Sequence, residues 1–104
     1  MQHIKSYDEL KELVEKNSNV VVDFFATWCG PCKMLSPLLE ELAEAHQEII
    51  FVKVDVDEAD ELAAKFGIRS IPTVLYYKNG EVKAAELGFQ PKDKLEANLT
   101  KYFN

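Results

Sequence analysis

Several things are scarce in this chain, and each scarcity removes a class of protein. No apolar run approaches the ~20 residues needed to cross a bilayer, so a membrane-spanning reading fails. Positive charge is in deficit: 12 Lys and Arg stand against 18 Asp and Glu, for a net charge of −6. That balance repels both a phosphate backbone and an anionic membrane surface, so neither nucleic acid nor membrane is an expected partner. The start, Met1-Gln2-His3-Ile4-Lys5, lacks the apolar stretch of a secretory signal, and a cytoplasmic location is expected. No Pro/Gly/Ser-rich linker, low-complexity tract or internal repeat divides the sequence, so residues 1–104 read as one domain. No phosphate loop or nucleotide fingerprint is present, and no bound cofactor is expected. Cysteine is nearly absent as well. There are two, and they stand three residues apart.

Of the 104 residues, 47% are hydrophobic, an ordinary globular share. Their spacing alternates between two periods. Leu10, Leu13 and Val14 follow Ser6-x-x-Glu9, a capping box that starts a helix. Leu35, Leu38, Leu39, Leu42 and Ala43 build a wide apolar face. Ala59, Leu62, Ala63 and Phe66 repeat the pattern until Gly67, and Leu95, Leu99, Tyr102 and Phe103 form a last helix entered through Pro91. Pro37 falls inside the second helix, where it cannot donate to the carbonyl of Lys33 and a kink is expected. Val20–Ala26 and Ile49–Val56 are nearly continuous apolar runs, suited to strands covered on both faces. Thr73–Tyr77 and Glu81–Leu87 flank Lys78-Asn79-Gly80, a strong hairpin signal. A short strand near Gln2–Ile4 completes the order β-α-β-α-β-α-β-β-α. The pattern is that of an α/β domain: a mixed sheet with a parallel centre, an antiparallel hairpin at one edge, and helices on both faces.

The cysteines lie in Trp28-Cys29-Gly30-Pro31-Cys32-Lys33, between a strand and a helix. A zinc site needs four ligands, and two thiols with His3 and His46 do not supply a recognisable set. A structural staple over so short a ring contributes about 2 kcal/mol, against ~4.7 for a 100-residue loop. A redox-active pair fits the spacing better. Positions i and i+3 in a first helical turn lie about 5–6 Å apart, so one site holds either dithiol or disulfide. Cys29, at or near the N-cap, gains from unpaired amides and the helix dipole, which favour a thiolate. Cys32, one turn further in, is more shielded. Cys29 is therefore expected to attack a client disulfide, and Cys32 to resolve the mixed disulfide. Pro31 costs no hydrogen bond so early in a helix.

The run Val22-Asp23-Phe24-Phe25-Ala26-Thr27-Trp28-Cys29-Gly30-Pro31-Cys32-Lys33 resembles the active-site signature of the thioredoxin family. The resemblance continues through Pro37, Lys53-Val54-Asp55, Ile68-Arg69-Ser70-Ile71-Pro72-Thr73, Lys78-Asn79-Gly80 and Gly88, across essentially the whole chain. It implies the thioredoxin fold, a central mixed five-stranded sheet flanked by four helices. It also implies a general protein-disulfide reductase and electron carrier, working on disulfide-containing client proteins and supporting cell redox homeostasis. Regeneration would come from a thioredoxin reductase drawing on NADPH. Two other readings use the same fold: a disulfide oxidase or isomerase, and a binding module that needs neither cysteine. Gly30-Pro31 between the cysteines favours the reductant, because oxidising relatives usually alter that pair. The small size fits a carrier that works as a monomer.

Supporting residues carry two readings each. Asp23 interrupts an apolar strand and shares a face with Val21 and Phe25. It is either an aspartate that reaches water at the strand end or a desolvated acid. The resemblance implies the second, a proton acceptor beneath Cys32. Lys53 is either a snorkelling lysine or the charge partner of Asp23 on a neighbouring strand. An Ile71-Pro72 bond is trans by ordinary preference, whereas the resemblance implies a cis bond facing the cysteines. Trp28, Ile71, Gly88 and Phe89 are each unremarkable alone, and together they read as an apolar client rim. Phe25 and Phe89-Gln90-Pro91 depart from widely shared versions of the pattern, which bears on client preference. The acidic groups Glu40-Glu41, Glu44, Asp57-Glu58 and Asp60-Glu61 read as solvated helix faces and first-turn acids.

Overall fold

The two periods of the sequence resolve into nine elements in a computed structural model that describes all 104 residues. They are β1 (Gln2–His3), α1 (Tyr7–Lys16), β2 (Asn19–Phe25), α2 (Gly30–Ala45), β3 (Ile50–Asp55), α3 (Asp60–Lys65), β4 (Thr73–Lys78), β5 (Glu81–Leu87) and α4 (Lys92–Phe103). The strands form one sheet in the order β1-β3-β2-β4-β5. β1, β3 and β2 run parallel, while β4 is antiparallel to β2 and to β5. This is the mixed five-stranded sheet with four helices expected of the thioredoxin fold.

The most apolar strand takes the central place, because only there are both faces covered. Along β2, Val20, Val22 and Phe24 enter one core with Leu10 and Val14 of α1 and Leu62 of α3. Val21 enters the other, with Leu35, Leu39 and Leu42 of α2 and Leu95, Leu99 and Phe103 of α4. Each fully buried Val, Leu or Phe stabilises the fold by about 1.5–3 kcal/mol relative to an exposed one. Strand alternation therefore directs Asp23, two residues after Val21, onto the α2 side of the sheet.

Local chemistry sets most of the boundaries. Ser6 caps α1 by accepting the Glu9 amide at 3.2 Å. The reciprocal half of the expected capping box is shifted by one residue: the Glu9 carboxylate takes the Lys5 amide, at 2.8 Å, instead of that of Ser6. Pro91 stands at the N-cap of α4, just ahead of the first helical residue. α3 is one residue shorter at each end than its apolar repeat, which runs from Ala59 to Phe66, and its N-cap Ala59 offers no side-chain bond. The Asp55 carboxylate instead gathers the amides of Asp57 and Glu58 ahead of the helix. In the hairpin, Asn79 and Gly80 take φ of 54° and 83°, the paired left-handed conformation of a two-residue turn that matches strand twist. The carboxyl end of β2 leads through residues 26–29 into α2, and Val56 after β3 and Ile71 before β4 pack against that junction.

Candidate active site

Cys29 is the N-cap residue of α2, in an extended conformation at φ −89° and ψ 114°. Its Sγ accepts the backbone amide of Cys32 at 3.2 Å, one of the donors that a helix start leaves without a partner. Gly30 and Pro31 fill the first two helical positions, both exposed, and Pro31 lacks only an N–H that the helix does not use. The two thiols are joined as a disulfide, with Cα atoms 5.3 Å apart. Cys32 is 2% exposed and Cys29 6%, so the order of shielding follows their places in the helix. Around them pack Ala26, Phe25, Val56 and Ile71. The first helical turn thus holds the sulfurs within bonding reach while the Cys32 amide faces one of them.

Three segments converge on this turn. The Ile71-Pro72 peptide bond is cis, and the Ile71 carbonyl oxygen lies 3.9 Å from Cys29 Sγ. Pro72 is buried and Ile71 half-buried. The Gly88 amide donates to the Pro72 carbonyl at 2.8 Å, which ties the end of β5 to the proline loop. Gly88 holds φ at 88°, a left-handed value that side-chain-bearing residues rarely adopt. Trp28 precedes the cysteines and is 68% exposed; Phe89 is 39% exposed and Leu87 64%. Ile71 thus packs against the disulfide, Gly88 is tied to the proline loop, and Trp28, Leu87 and Phe89 are exposed apolar side chains on the adjoining segments. The sequence places Leu87 only as the last residue of a strand, because the end of an edge strand gives no signal of a binding role.

Trp28 has a partner that the sequence reading did not assign. Its Nε1–H donates to the Asp57 carboxylate at 2.7 Å. Asp57 sits in the acidic run before α3, where it reads simply as a solvated first-turn acid. Its role comes from the approach of two loops 29 residues apart.

Asp23 is 1% exposed, and neither carboxylate oxygen has a hydrogen-bond partner. Burial pushes its pKa up from 3.8 to about 7, against a smaller downward pull from Lys53. The strand-end reading, with the acid reaching water, is thereby overturned. Lys53 stands opposite Asp23 in the β2–β3 register. Its ammonium, however, lies over the Phe25 ring at 5.6 Å from the centroid, and its pull on Asp23 is a field effect without a direct ion pair. The histidines lie elsewhere. His46 Nε2 meets Glu96 Oε1 at 2.6 Å, and the His3 ring meets the edge of Phe25 at 5.9 Å. Nowhere do three or more His, Cys, Asp or Glu side chains gather as metal ligands.

The chain is similar to known proteins along its whole length. The family model described as Thioredoxin matches residues 2–101. A thioredoxin of Mycoplasmoides gallisepticum is 48% identical over 99 residues, covering 95% of this chain and 99% of that one. The thioredoxin of Bacillus subtilis is 44% identical over 103 residues, covering 98% and 99%. Among solved structures, Fasciola hepatica thioredoxin superposes with a TM-score of 0.92 at 36% identity, over 98% of this chain and 99% of that one. Plasmodium falciparum thioredoxin does so at 0.90 and 39%, over 98% and 99%. With a Cys-Gly-Pro-Cys pair at a helix start and close enough to form a disulfide, the chain is a disulfide reductase. It belongs to the thioredoxin family.

Proposed function

We propose that this chain is a general carrier of reducing equivalents to protein disulfides, recharged by a thioredoxin reductase that draws on NADPH. In the reduced state, the Cys29 thiolate attacks one sulfur of a client disulfide. The client S–S bond breaks, a Cys29–client bond forms, and the first client sulfur leaves as a thiolate. Cys32 then gives its proton to the Asp23 carboxylate and attacks Cys29 Sγ. The mixed disulfide breaks, the second client sulfur leaves, and the chain carries the Cys29–Cys32 disulfide. Two electrons have passed to the client. The reductase returns two electrons and restores both thiols.

Asp23 suits this step because a pKa of about 7 leaves it able to accept or release a proton near neutrality. Lys53 acts on it through its field and keeps the acid from rising further. Pro72 and Ile71 present backbone beside Cys29, where an extended client segment can pair by strand addition. Trp28, Gly88 and Phe89 supply the apolar margin that receives client side chains. Gly30 and Pro31 set the balance between dithiol and disulfide and favour a reductant over an oxidase or isomerase. The carrier works as a monomer in the cytoplasm, which leaves its exposed margin free for many partners.

The observation that carries this reading is the placement of Cys29 Sγ on the free amide of a helix start with Cys32 one turn behind it. The test is NADPH consumption with a thioredoxin reductase and insulin as the disulfide client. Sustained consumption that Cys29→Ser abolishes is expected, and Cys32→Ser should accumulate the mixed disulfide. Equal consumption by the Cys29→Ser/Cys32→Ser variant would establish a role independent of the cysteines.

A further inference from the structure

Asn98 is an amide set in the middle of α4 at 1% exposure, where apolar side chains would ordinarily pack. A buried amide is costly unless it is bonded; here Oδ1 has no partner and the nitrogen is bonded twice, to a strand and to a loop. Asn98 Nδ2 donates to the Tyr76 hydroxyl of β4 at 3.3 Å and to Gln90 Oε1 at 2.9 Å. Gln90 Nε2 donates in turn to Glu86 Oε1 of β5 at 3.1 Å. The Tyr102 hydroxyl, one turn further along α4, donates to the other oxygen of Glu86. Gln90 is therefore a bridge. One end of its amide holds a helix and the other holds Glu86, the penultimate residue of an edge strand.

Only Leu87, Gly88 and Phe89 lie between the two bonded residues Glu86 and Gln90. These three belong to the apolar margin beside the disulfide, and the middle one is fastened to Pro72 through its amide. Short segments at strand ends otherwise move freely and must be ordered when a partner binds, which weakens binding. Here both flanks and the centre of the segment are already tied.

We propose that Gln90 is a positioning residue: with Asn98 and Glu86 it clamps Leu87–Phe89 in the conformation that receives a polypeptide client. The inference rests on the reading of that segment as part of the client margin. The clamp touches neither sulfur. It therefore governs affinity for polypeptide disulfides, and leaves disulfide exchange with a small molecule unaltered.

The test uses the full chain with dithiothreitol as reductant, insulin as polypeptide client and bis(hydroxyethyl) disulfide as small client. Gln90→Glu sets a carboxylate against Glu86 and breaks that bond. With one hydrogen bond lost, KM for insulin should rise about three- to tenfold. The insulin kcat and the small-disulfide rate should hold within about twofold. The exchanged pair Glu86→Gln/Gln90→Glu keeps the charge and reverses donor and acceptor. Glutamine at 86 then donates to glutamate at 90, which still accepts from Asn98, and insulin KM should return to the parent value. An unchanged KM in Gln90→Glu would overturn the clamp. So would a parallel fall in small-disulfide rate, or a failure of the folded double variant to restore KM. If the parent chain reduces the small disulfide and leaves insulin untouched, the client-margin reading fails. Amide exchange then decides the clamp alone: faster exchange at Leu87 and Phe89 in Gln90→Glu supports it, and unchanged exchange refutes it.

Discussion

Lys53 stands directly opposite Asp23 across the β2–β3 ladder, yet its ammonium rests on the Phe25 ring and leaves both Asp23 oxygens without a partner. A close ion pair would hold the acid charged and spend its basicity on the lysine. A lysine at field distance lowers the pKa less than burial raises it, and the outcome is a value of about 7.

Removal of the lysine charge should therefore push the acid further up. In Lys53→Met, the pH at which the Cys29–client mixed disulfide begins to resolve quickly should move to the alkaline side. The direction follows from the proposed role of Asp23, which must be unprotonated to accept a proton. Resolution speeds up as pH rises through its pKa, so a higher pKa displaces that rise. Stopped-flow resolution rates over a pH series would measure it. A midpoint shared by parent and variant would show that Lys53 does not act on this acid.

Asp23 also makes stability depend on pH. Its folded pKa lies above its unfolded value of 3.8, so the folded state binds the proton more tightly. The stabilisation is complete below about pH 4 and is lost as pH rises through about 7. The gap between 3.8 and about 7 is worth about 4 kcal/mol at full extent. Asp23→Leu removes this dependence. In urea titrations of the oxidised proteins, its advantage over the parent should grow by up to about 4 kcal/mol between about pH 4 and about pH 8. An advantage equal at both pH values would place its origin in packing instead.

The Trp28–Asp57 bond yields a third expectation. There is one tryptophan, so its fluorescence reports this contact alone. Asp57→Ala should free the indole and lower its fluorescence anisotropy, while Asp57→Asn keeps an acceptor oxygen and should preserve it. Both groups are exposed, so the stability loss in Asp57→Ala should stay within about 1 kcal/mol. Equal anisotropy in all three proteins would mean that the bond does not restrain the ring in solution.

The same residues mark how far sequence reasoning reaches. Asp23 interrupts a nearly continuous apolar run, and strand geometry puts it on the face of Val21. Whether a strand-end acid finds water depends on what covers that face, and α2 and α4 come from 7 to 80 residues further along the chain. Lys53 was paired with Asp23 by strand adjacency, but adjacency does not say where a long side chain ends. Asn98 gave no signal, and Gln90 stood out only within the unusual Phe89-Gln90-Pro91, because polar residues in a helix and a loop ordinarily face solvent.

What the sequence determined by itself was whatever short-range physics controls. The period of 3.6, two continuous apolar runs and the hairpin strands set eight of the nine elements in order, all but the two-residue β1. Asn-Gly set the hairpin, and the spacing of Cys29 and Cys32 at a helix start set the chemistry. These depend on residues a few positions apart, whose geometry the backbone dictates. The tertiary structure decided what long-range packing controls: the strand order, the cis bond at Pro72, the desolvation of Asp23, the hold of Asp57 on Trp28 and the bridge from Gln90 to Asn98. Each joins residues that only a closed core brings together, and burial then alters their chemistry. The scarcity of cysteine is legible in the chain; the setting that packs Phe25, Val56 and Ile71 around two cysteines and buries Asp23 exists only once the sheet is covered.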